Sequence, residues 1–152
     1  MKEQFRIHKV TRQNALKIAQ AFNPEQLNFI PPSFNNNLIW NLGHIVVTQQ
    51  LLVYGLTGNE MKVQKEMIEK YRKGTKPQEA VSESEINHIL ELLISSSDQC
   101  EKDYDAGLFK KCRQYPTSYG FEINSVEDAI LFNNIHESMH LGNLLSMRKL
   151  IS

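Results

Sequence analysis

Residues 125–147 read SVEDAILFNNIHESMHLGNLLSM and carry the signals of one long helix. Ser125 opens it and is followed by the acidic residues Glu127 and Asp128, which suit the positive end of a helix dipole. Arg148 and Lys149, just beyond the stretch, suit the negative end of the dipole. These signals predict a long helix that begins at Ser125 and can extend to the C-terminus.

Three earlier segments repeat apolar residues at the same helical spacing. The first spans about Lys2–Phe22 and the second about Asn36–Gly55. The third runs from Ser84 to about Asp105, and it follows Ser82 and Glu85, which have the spacing of a capping box. The chain therefore has four predicted long helices and no convincing strand.

Turn signals and shorter pieces separate these helices. Asn23-Pro24 is typical of an N-cap and first-position proline, and Pro31-Pro32 ends the short helical turn that follows. Thr57-Gly58-Asn59 breaks the second helix, and a shorter helix is predicted from about Met61 to Tyr71. Residues 107–124 are expected to form an irregular connection. The expected fold class is an all-α four-helix bundle with an additional short helix and irregular connections.

Length and charge restrict the class of protein. The 152 residues match one ordinary domain, so residues 1–152 are expected to form a single bundle. Lys plus Arg and Asp plus Glu number 17 each, which leaves a formal net charge of zero. Without an overall positive field, neither a nucleic acid nor an anionic membrane is an expected partner.

Location is inferred from what the apolar stretches contain. The first twenty residues alternate charged and apolar side chains, unlike a signal peptide. The longest apolar region, Leu38–Leu56, includes Asn41, His44 and two glutamines, so it is not a membrane span. Two cysteines, Cys100 and Cys112, do not make a disulfide framework. We therefore expect a cytoplasmic protein.

The predicted last helix contains the spacing H-x-x-x-H at His136 and His140. Residues four apart lie on one face of a helix, with about 5–6 Å between their Cβ atoms, so both imidazoles can reach one divalent ion. Imidazole suits zinc, nickel, copper and iron. The alternative is a pair of structural histidines satisfied by water and carbonyls. The pair shares a stripe at helical spacing with Ala129, Asn133, Leu144 and Met147.

A third histidine, His44, ends the sequence WNLGH at residues 40–44. Gly43 lowers the stability of a helix and leaves space above the neighbouring turn, which a close ligand or helix can use. A single helical histidine beside a glycine is more often structural than catalytic.

The segments WNLGH (40–44) and H-x-x-x-H-x-G-N-x-x-x-x-R (136–148) together resemble the DinB/YfiT-like superfamily. In that superfamily, one histidine of the second helix and the H-x-x-x-H pair of the last helix bind a divalent metal inside a four-helix bundle. By position, the resemblance makes His44, His136 and His140 the ligands. Zinc and nickel are the expected ions. Many members carry glutamine where this chain has Asn143, which affects an outer contact and not the ligand set.

Metal-bound histidines usually need an outer hydrogen-bond partner. Asn41 and Asn133 each lie one turn before a predicted ligand and are candidates, as is Glu137. Glu137 and Arg148 are also candidates to act beside the metal. Taken singly, Asn41, Asn133 and Glu137 are each more often ordinary polar helix residues than outer partners of a ligand. The catalytic residues stay unassigned.

Three neutral imidazoles leave one coordination position open, as in catalytic sites. The resemblance implies a metal-dependent transferase that uses a low-molecular-weight thiol, of the bacillithiol or mycothiol type, on a small-molecule substrate. A metal-dependent hydrolase and a non-enzymatic stress-response protein with a structural metal are the alternatives. Whether the chain is an enzyme is left open. A homodimer is also implied, because members often pair through their bundles.

Other reactive residues receive simpler interpretations. His8 and His88 are expected at the surface, and Cys100 is expected to be a partly buried thiol. Cys112 lies among cations at 110, 111 and 113, which predicts a lowered thiol pKa. The basic run of residues 70–76 is expected to be a solvated helix end, with docking of an anionic small molecule near the bundle mouth as the alternative.

Overall fold

A computed structural model describes residues 1–151. It confirms the predicted all-α four-helix bundle, in which four long helices are accompanied by two short helices and a very small hairpin. The elements are α1 (Lys2–Ala19), α2 (Pro24–Asn28), α3 (Leu38–Gln49), α4 (Lys65–Tyr71), α5 (Glu83–Asp105), β1 (Tyr115–Pro116), β2 (Glu122–Ile123) and α6 (Val126–Met147).

The long helices form a closed ring of contacts. Both α1 and α3 pack against α5 and α6, so the order around the bundle is α1, α5, α3, α6. Burying a wide apolar stripe from each helix supplies the main stabilising free energy. The central side chains are apolar and almost fully inaccessible to solvent, and they include Leu38, Leu42, Ile45, Ile89, Leu93 and Leu144.

Several helices begin directly after a residue whose side chain caps them. Asn23 and Gln26 make a reciprocal capping box at α2. Asn37 accepts a hydrogen bond from the Trp40 N–H at the start of α3. Ser82 and Ser125 cap α5 and α6 in the same way, because a side-chain oxygen satisfies an otherwise unpaired N–H of the first turn. The caps predicted at Ser82 and Ser125 are confirmed, and α5 begins at Glu83, one residue before the predicted Ser84.

The helix that begins with α3 changes geometry midway. It continues beyond Gln49 as a π-helix over Gln50–Gly55, which we call the π segment. Each turn of a π-helix holds more residues than an α-helical turn, and such segments often occur at functional sites. The helix continues through Leu56 and Thr57, two residues beyond the end predicted near Gly55, and apolar spacing does not reveal the change of geometry.

Several predicted boundaries need correction. The first helix ends at Ala19 and not at Phe22, since the chain tightens into turns with hydrogen bonds to residues three positions earlier. The shorter helix begins at Lys65 and not at Met61. The last helix ends at Met147, with Arg148 as its C-cap, rather than extending to the C-terminus. None of the helices within residues 1–151 has an apolar stretch long enough to cross a membrane.

The connection between α5 and α6 contains a hairpin that was not predicted. Tyr115 pairs with Ile123 and Pro116 with Glu122 in antiparallel register. The turn between them includes Gly120, whose φ of +88° favours glycine. The ring of Phe121 stacks on Phe132, with 6.1 Å between centroids, and so attaches this hairpin to α6.

The two thiols differ from their expected environments. Cys100 is 1% exposed and lies in the core, rather than being partly buried. For Cys112 the predicted lowering of the thiol pKa is wrong. Burial raises the pKa, and the nearby carboxylates of Asp128 and Glu127 raise it further. Both thiols are free.

Candidate metal centre

Three histidine side chains meet between α3 and α6. His44 lies on α3, and His136 and His140 lie one turn apart on α6. One ring nitrogen from each residue can be chosen so that all three atoms lie within 4.8 Å of one another. Nε2 of His44 is 3.2 Å from Nε2 of His136. The structure therefore brings together the three histidines that the sequence singles out.

The His44 ring has a fixed tautomer. Its Nδ1 lies 2.6 Å from the backbone oxygen of Tyr71, the last residue of α4. A carbonyl oxygen can only accept, so Nδ1 carries the hydrogen and Nε2 keeps a free lone pair. Trp40 stacks on the other side of the ring, with 4.7 Å between centroids. These contacts hold the His44 lone pair toward the other two rings.

The His140 ring is held in the same tautomer by Asn41. Nδ1 of His140 lies 2.8 Å from Oδ1 of Asn41. The Asn41 amide is oriented because its Nδ2 donates to the backbone oxygen of Asn37 at 2.8 Å. Asn41 was expected to serve His44, one turn away on its own helix, but it reaches across to α6 instead. Nε2 of His140 thus also keeps its lone pair.

His136 is the least constrained of the three rings. Its Nδ1 is buried and has no hydrogen-bond partner within residues 1–151. Its Nε2 faces Nε2 of His44, which directs a lone pair toward it. Two such nitrogens repel unless a proton or a cation lies between them.

A metal ion fits this donor set. In a tetrahedral zinc site with bonds of 2.0–2.1 Å, ligand nitrogens lie about 3.3–3.4 Å apart. The 3.2 Å between the Nε2 atoms of His44 and His136 is close to that separation. Two of the three rings also carry the outer hydrogen bond that metal-bound histidines usually have.

The electrostatic environment keeps all three rings neutral at pH 7. Burial lowers the pKa of His44. Burial also lowers the pKa of His136 to about 4 and that of His140 to about 3, and the neighbouring histidines add to both shifts. A neutral imidazole is the form that binds a metal. The rings therefore present unprotonated donors without competition from solvent protons.

Glu137 follows a predicted ligand but faces away from it. The carboxylate is fully buried and accepts hydrogen bonds at 2.7 Å from Nε and Nη2 of Arg12 on α1. Nε2 of His8 donates to it at 3.0 Å and Nδ2 of Asn133 at 2.8 Å. Burial acts to raise the pKa of Glu137, but the charges of Arg12 and His8 outweigh it and hold the pKa below its ordinary value.

The structure corrects four expectations. His8 is 2% exposed and belongs to this buried network, so its predicted surface position is wrong. Asn133 bonds to Glu137 rather than to its neighbour His136. Arg148 is exposed at the end of α6 and makes no hydrogen bond to the histidines within the described residues. Glu137 cannot act as a general base while Arg12 holds both of its oxygens.

Arg12 was not predicted to belong to a buried network. It is fully buried and also donates to the backbone oxygens of Leu93 and Ile45. A signal for it exists, since His8 and Arg12 share the spacing of Phe5, Ala15 and Ala19 on the buried face of α1. Polar residues on an apolar stripe require buried partners.

An open cavity of about 560 Å³ leads to the three histidines. Its apolar wall comes from the π segment, its following turn and α6. The hydroxyl oxygen of Thr48 lies at its base, 3.4 Å from Nε2 of His44. The apolar wall consists of Leu51, Leu52, Leu56, Phe132 and Met139.

Comparison with known proteins identifies the family. The model of the DinB superfamily matches residues 8–144. This chain belongs to the DinB superfamily. The resemblance noted from residues 40–44 and 136–148 is therefore confirmed. The match extends far beyond those two segments, from α1 almost to the end of α6.

A solved structure supports the same fold for this DinB-superfamily chain. The crystal structure of a conserved protein from Enterococcus faecalis superimposes with a TM-score of 0.71, at 11% sequence identity. The alignment covers 99% of this chain and 95% of that one. At this identity the likeness concerns the fold alone. A comparison with curated proteins gave no significant match.

Proposed function

We propose that this DinB-superfamily protein binds one divalent metal ion through Nε2 of His44, His136 and His140. The observation that carries the proposal is the meeting of three neutral rings at the base of one cavity, two of them with their tautomers fixed. Zinc and nickel are the proposed ions, because both accept imidazole nitrogen.

We further propose that the metal serves a transferase reaction in which the sulfur of a low-molecular-weight thiol displaces a leaving group from a small electrophile, while the thiol proton passes to solvent. Three neutral ligands leave the charge of a divalent ion uncompensated and one position open. When bound, the ion would act as a Lewis acid that favours the deprotonated form of a thiol. The choice of a thiol over water is supported by the DinB/YfiT-like resemblance, since characterised relatives in that superfamily include thiol-dependent transferases.

The chain's own residues would orient the donors and shield the site. The Tyr71 carbonyl and the Asn41 amide hold two rings in their metal-binding tautomer. The apolar wall excludes water from one side of the cavity, which strengthens electrostatic interactions inside it. Thr48 offers a hydroxyl near the open side of the site. No side chain at the site is assigned as a general base.

The test of metal binding is elemental analysis and metal titration of protein purified without a histidine tag. We expect one zinc or nickel ion per chain, and an affinity at least 100-fold lower after His44→Ala, His136→Ala or His140→Ala. The matched control is His88→Ala, since His88 is exposed and lies outside the cluster. Equal affinity in all four variants would exclude this site.

The test of the reaction is a thiol-conjugation assay with a generic aryl halide and a panel of low-molecular-weight thiols. Turnover should require both the thiol and the metal. Turnover that survives complete metal removal contradicts the mechanism. Turnover without any thiol favours a hydrolase, and metal binding that alters only stability favours a structural metal.

We also propose that the protein is a cytoplasmic homodimer. Two free cysteines are consistent with a reducing compartment. The outer faces of α1 and α6 expose Ile7, Val10, Leu131 and Leu145, each more than one-third accessible. Light scattering after gel filtration should give twice the chain mass, and Leu131→Glu should reduce it to one chain.

A further inference from the structure

We propose that the cavity above the three histidines binds a small organic anion with an apolar body, and that Lys73 and Arg113 recognise its charged group. This inference deepens the proposed function, because it assigns a substrate class to the same cavity. It rests on the side chains that line the cavity rather than on the metal.

The charges of the cavity wall have one sign. Apart from the histidines, the charged side chains that line it are Lys73 and Arg113, and no carboxylate lines it. Within residues 1–151, neither cation lies within 4.0 Å of a carboxylate oxygen. Two unpaired cations beside an acid-free pocket create a local positive potential in a protein whose net charge is zero.

Lys73 is positioned at the cavity mouth by a contact across it. Its Nζ donates to Oγ of Ser118 at 3.0 Å, which joins the segment after α4 to the turn of the β1–β2 hairpin. An ammonium group has three N–H donors. The Ser118 bond uses one of them, so two donors remain for a ligand.

Arg113 approaches the same cavity from the segment before β1. Its backbone N–H donates to the backbone oxygen of Leu56 at 2.7 Å, which fixes the chain against the end of the π segment. Its side chain is exposed, and no hydrogen bond from its guanidinium to another group occurs within the described residues. A guanidinium offers a planar pair of donors that matches a carboxylate or a phosphate.

The remaining wall requires an apolar portion in the ligand. Leu51, Leu52, Leu56, Phe132 and Met139 make up one side of the cavity. A volume of about 560 Å³ falls in the range of pockets that hold small organic molecules. An inorganic anion would leave this surface in contact with water, whereas an organic anion would cover it.

The basic run at residues 70–76 separates into different environments. Lys70 is paired with Glu85 at 2.8 Å. Lys76 lines a separate groove beside Trp40 and does not reach the cavity. Lys73 alone among these three lysines lines the cavity of the histidines. Of these three lysines, only Lys73 is therefore a candidate to bind an anion in the cavity of the histidines. It would do so together with Arg113, which comes from a later part of the chain.

The test compares two probes of equal shape, 4-phenylbutyrate and its neutral amide 4-phenylbutyramide, by NMR titration of the protein as purified and after metal removal. We expect the carboxylate to bind at least 10-fold more tightly than the amide in both preparations. The ratio of the carboxylate affinity to the amide affinity should fall about threefold or more when the salt concentration is raised from 50 to 500 mM, because salt screens the exposed cations.

Two double variants test whether the cavity cations cause this preference. Lys73→Gln combined with Arg113→Gln should abolish the carboxylate preference. Lys76→Gln combined with Lys111→Gln removes the same charge outside the cavity and should keep it. Equal binding of both probes, or equal loss in both double variants, overturns the proposal. So does a preference that persists in the cavity double variant, which would assign the carboxylate to the metal.

Metal content separates this inference from the proposed function. Both double variants should retain one metal per chain and an unchanged circular dichroism spectrum. A carboxylate preference in protein that never binds metal would support the anion site and reject the metal site. Metal binding without any carboxylate preference would support the metal site and reject the anion site.

Discussion

The aromatic ring of Tyr71 lies directly on the backbone of Gly43. A Cβ atom at residue 43 would lie 2.6 Å from Cδ1 of that ring. The missing side chain therefore lets the end of α4 approach α3 closely enough for the Tyr71 carbonyl to accept the hydrogen bond from His44. The expectation that Gly43 leaves space for a close neighbour is confirmed, and the neighbour is Tyr71.

Gly43→Ala should reduce metal affinity without removing a ligand. The new methyl group would displace the Tyr71 ring, which is buried and is held at its hydroxyl by Glu85. With little room for the ring to rotate, we expect the displacement to shift the Tyr71 carbonyl that orients His44. We expect a loss of about 10–100-fold, as is typical when an outer partner of a metal-bound histidine is lost. Isothermal titration with zinc measures it.

Gly142→Ala is the matched control for that substitution. Gly142 is also inside a long helix, but a Cβ there meets nothing within 4 Å. Alanine is favoured over glycine in a helix by about 0.8–1.0 kcal/mol. This variant should therefore be more stable with unchanged metal affinity. Equal loss of affinity in both variants would contradict the role assigned to Gly43.

Asn41→Leu should weaken metal binding through His140. The amide oxygen of Asn41 is the acceptor that keeps the hydrogen on Nδ1 of His140. Leucine has the same branching pattern but no acceptor, so the ring loses its orientation, and we expect affinity to fall about 10–100-fold. Asn41→Asp retains an acceptor and should lose less. Asn143→Leu, on the exposed side of α6, should have no effect.

Glu137→Gln should strongly destabilise the bundle. Arg12 is fully buried, and its guanidinium charge is balanced by this carboxylate. Removing one partner of a buried ion pair costs about 3–5 kcal/mol, because the other charge stays buried and unpaired. Urea denaturation measures the loss. Glu3→Gln breaks an exposed ion pair with Arg6, and surface changes of this kind stay within about 0.5 kcal/mol.

The metal-free protein should lose stability as the pH falls below about 6.5. The histidine pKa is 6.5 in the unfolded chain but about 4 for folded His136 and about 3 for folded His140. Between these values the unfolded chain binds protons that the folded chain does not, so acidification favours unfolding. His140→Gln should make the slope of unfolding free energy against pH shallower between pH 6.5 and 5. An unchanged slope would show that this ring titrates normally.

The sequence was sufficient to predict the four long helices and the three histidines. Apolar spacing and caps are local signals, and the bundle buries the faces that they define. His136 and His140 lie on one helix, so their proximity follows from spacing alone. His44 comes from a different helix, and only the resemblance connected it with the pair.

Side-chain direction explains the error at Glu137. Consecutive residues of an α-helix point about 100° apart. A residue next to a ligand in sequence therefore faces a different neighbour, and Glu137 faces Arg12 on α1. Arg12 and His8 were missed because polar residues were assumed to face solvent. Their partner lies more than 120 positions away, and no local pattern reports such a contact.

The hairpin and the raised thiol pKa of Cys112 could not be predicted either, because both depend on contacts outside the local sequence. Strands of two residues are too short to show alternation. The environment of Cys112 depends on Asp128 and Glu127, which α6 brings near it, more than on its sequence neighbours. Both features depend on how the segment before α6 folds against that helix.

The π segment makes the response of this helix to changes in length asymmetric. A π-helical turn holds an extra residue, so one residue can be removed from Gln50–Gly55 by a return to α-helical winding, and the residues on either side keep their faces. An inserted residue that is not absorbed in this way rotates the chain beyond it by about 100° and would turn Leu56 away from Phe132. Single-residue insertions there should therefore alter ligand selectivity, whereas single-residue deletions should leave both the cavity and His44 in place.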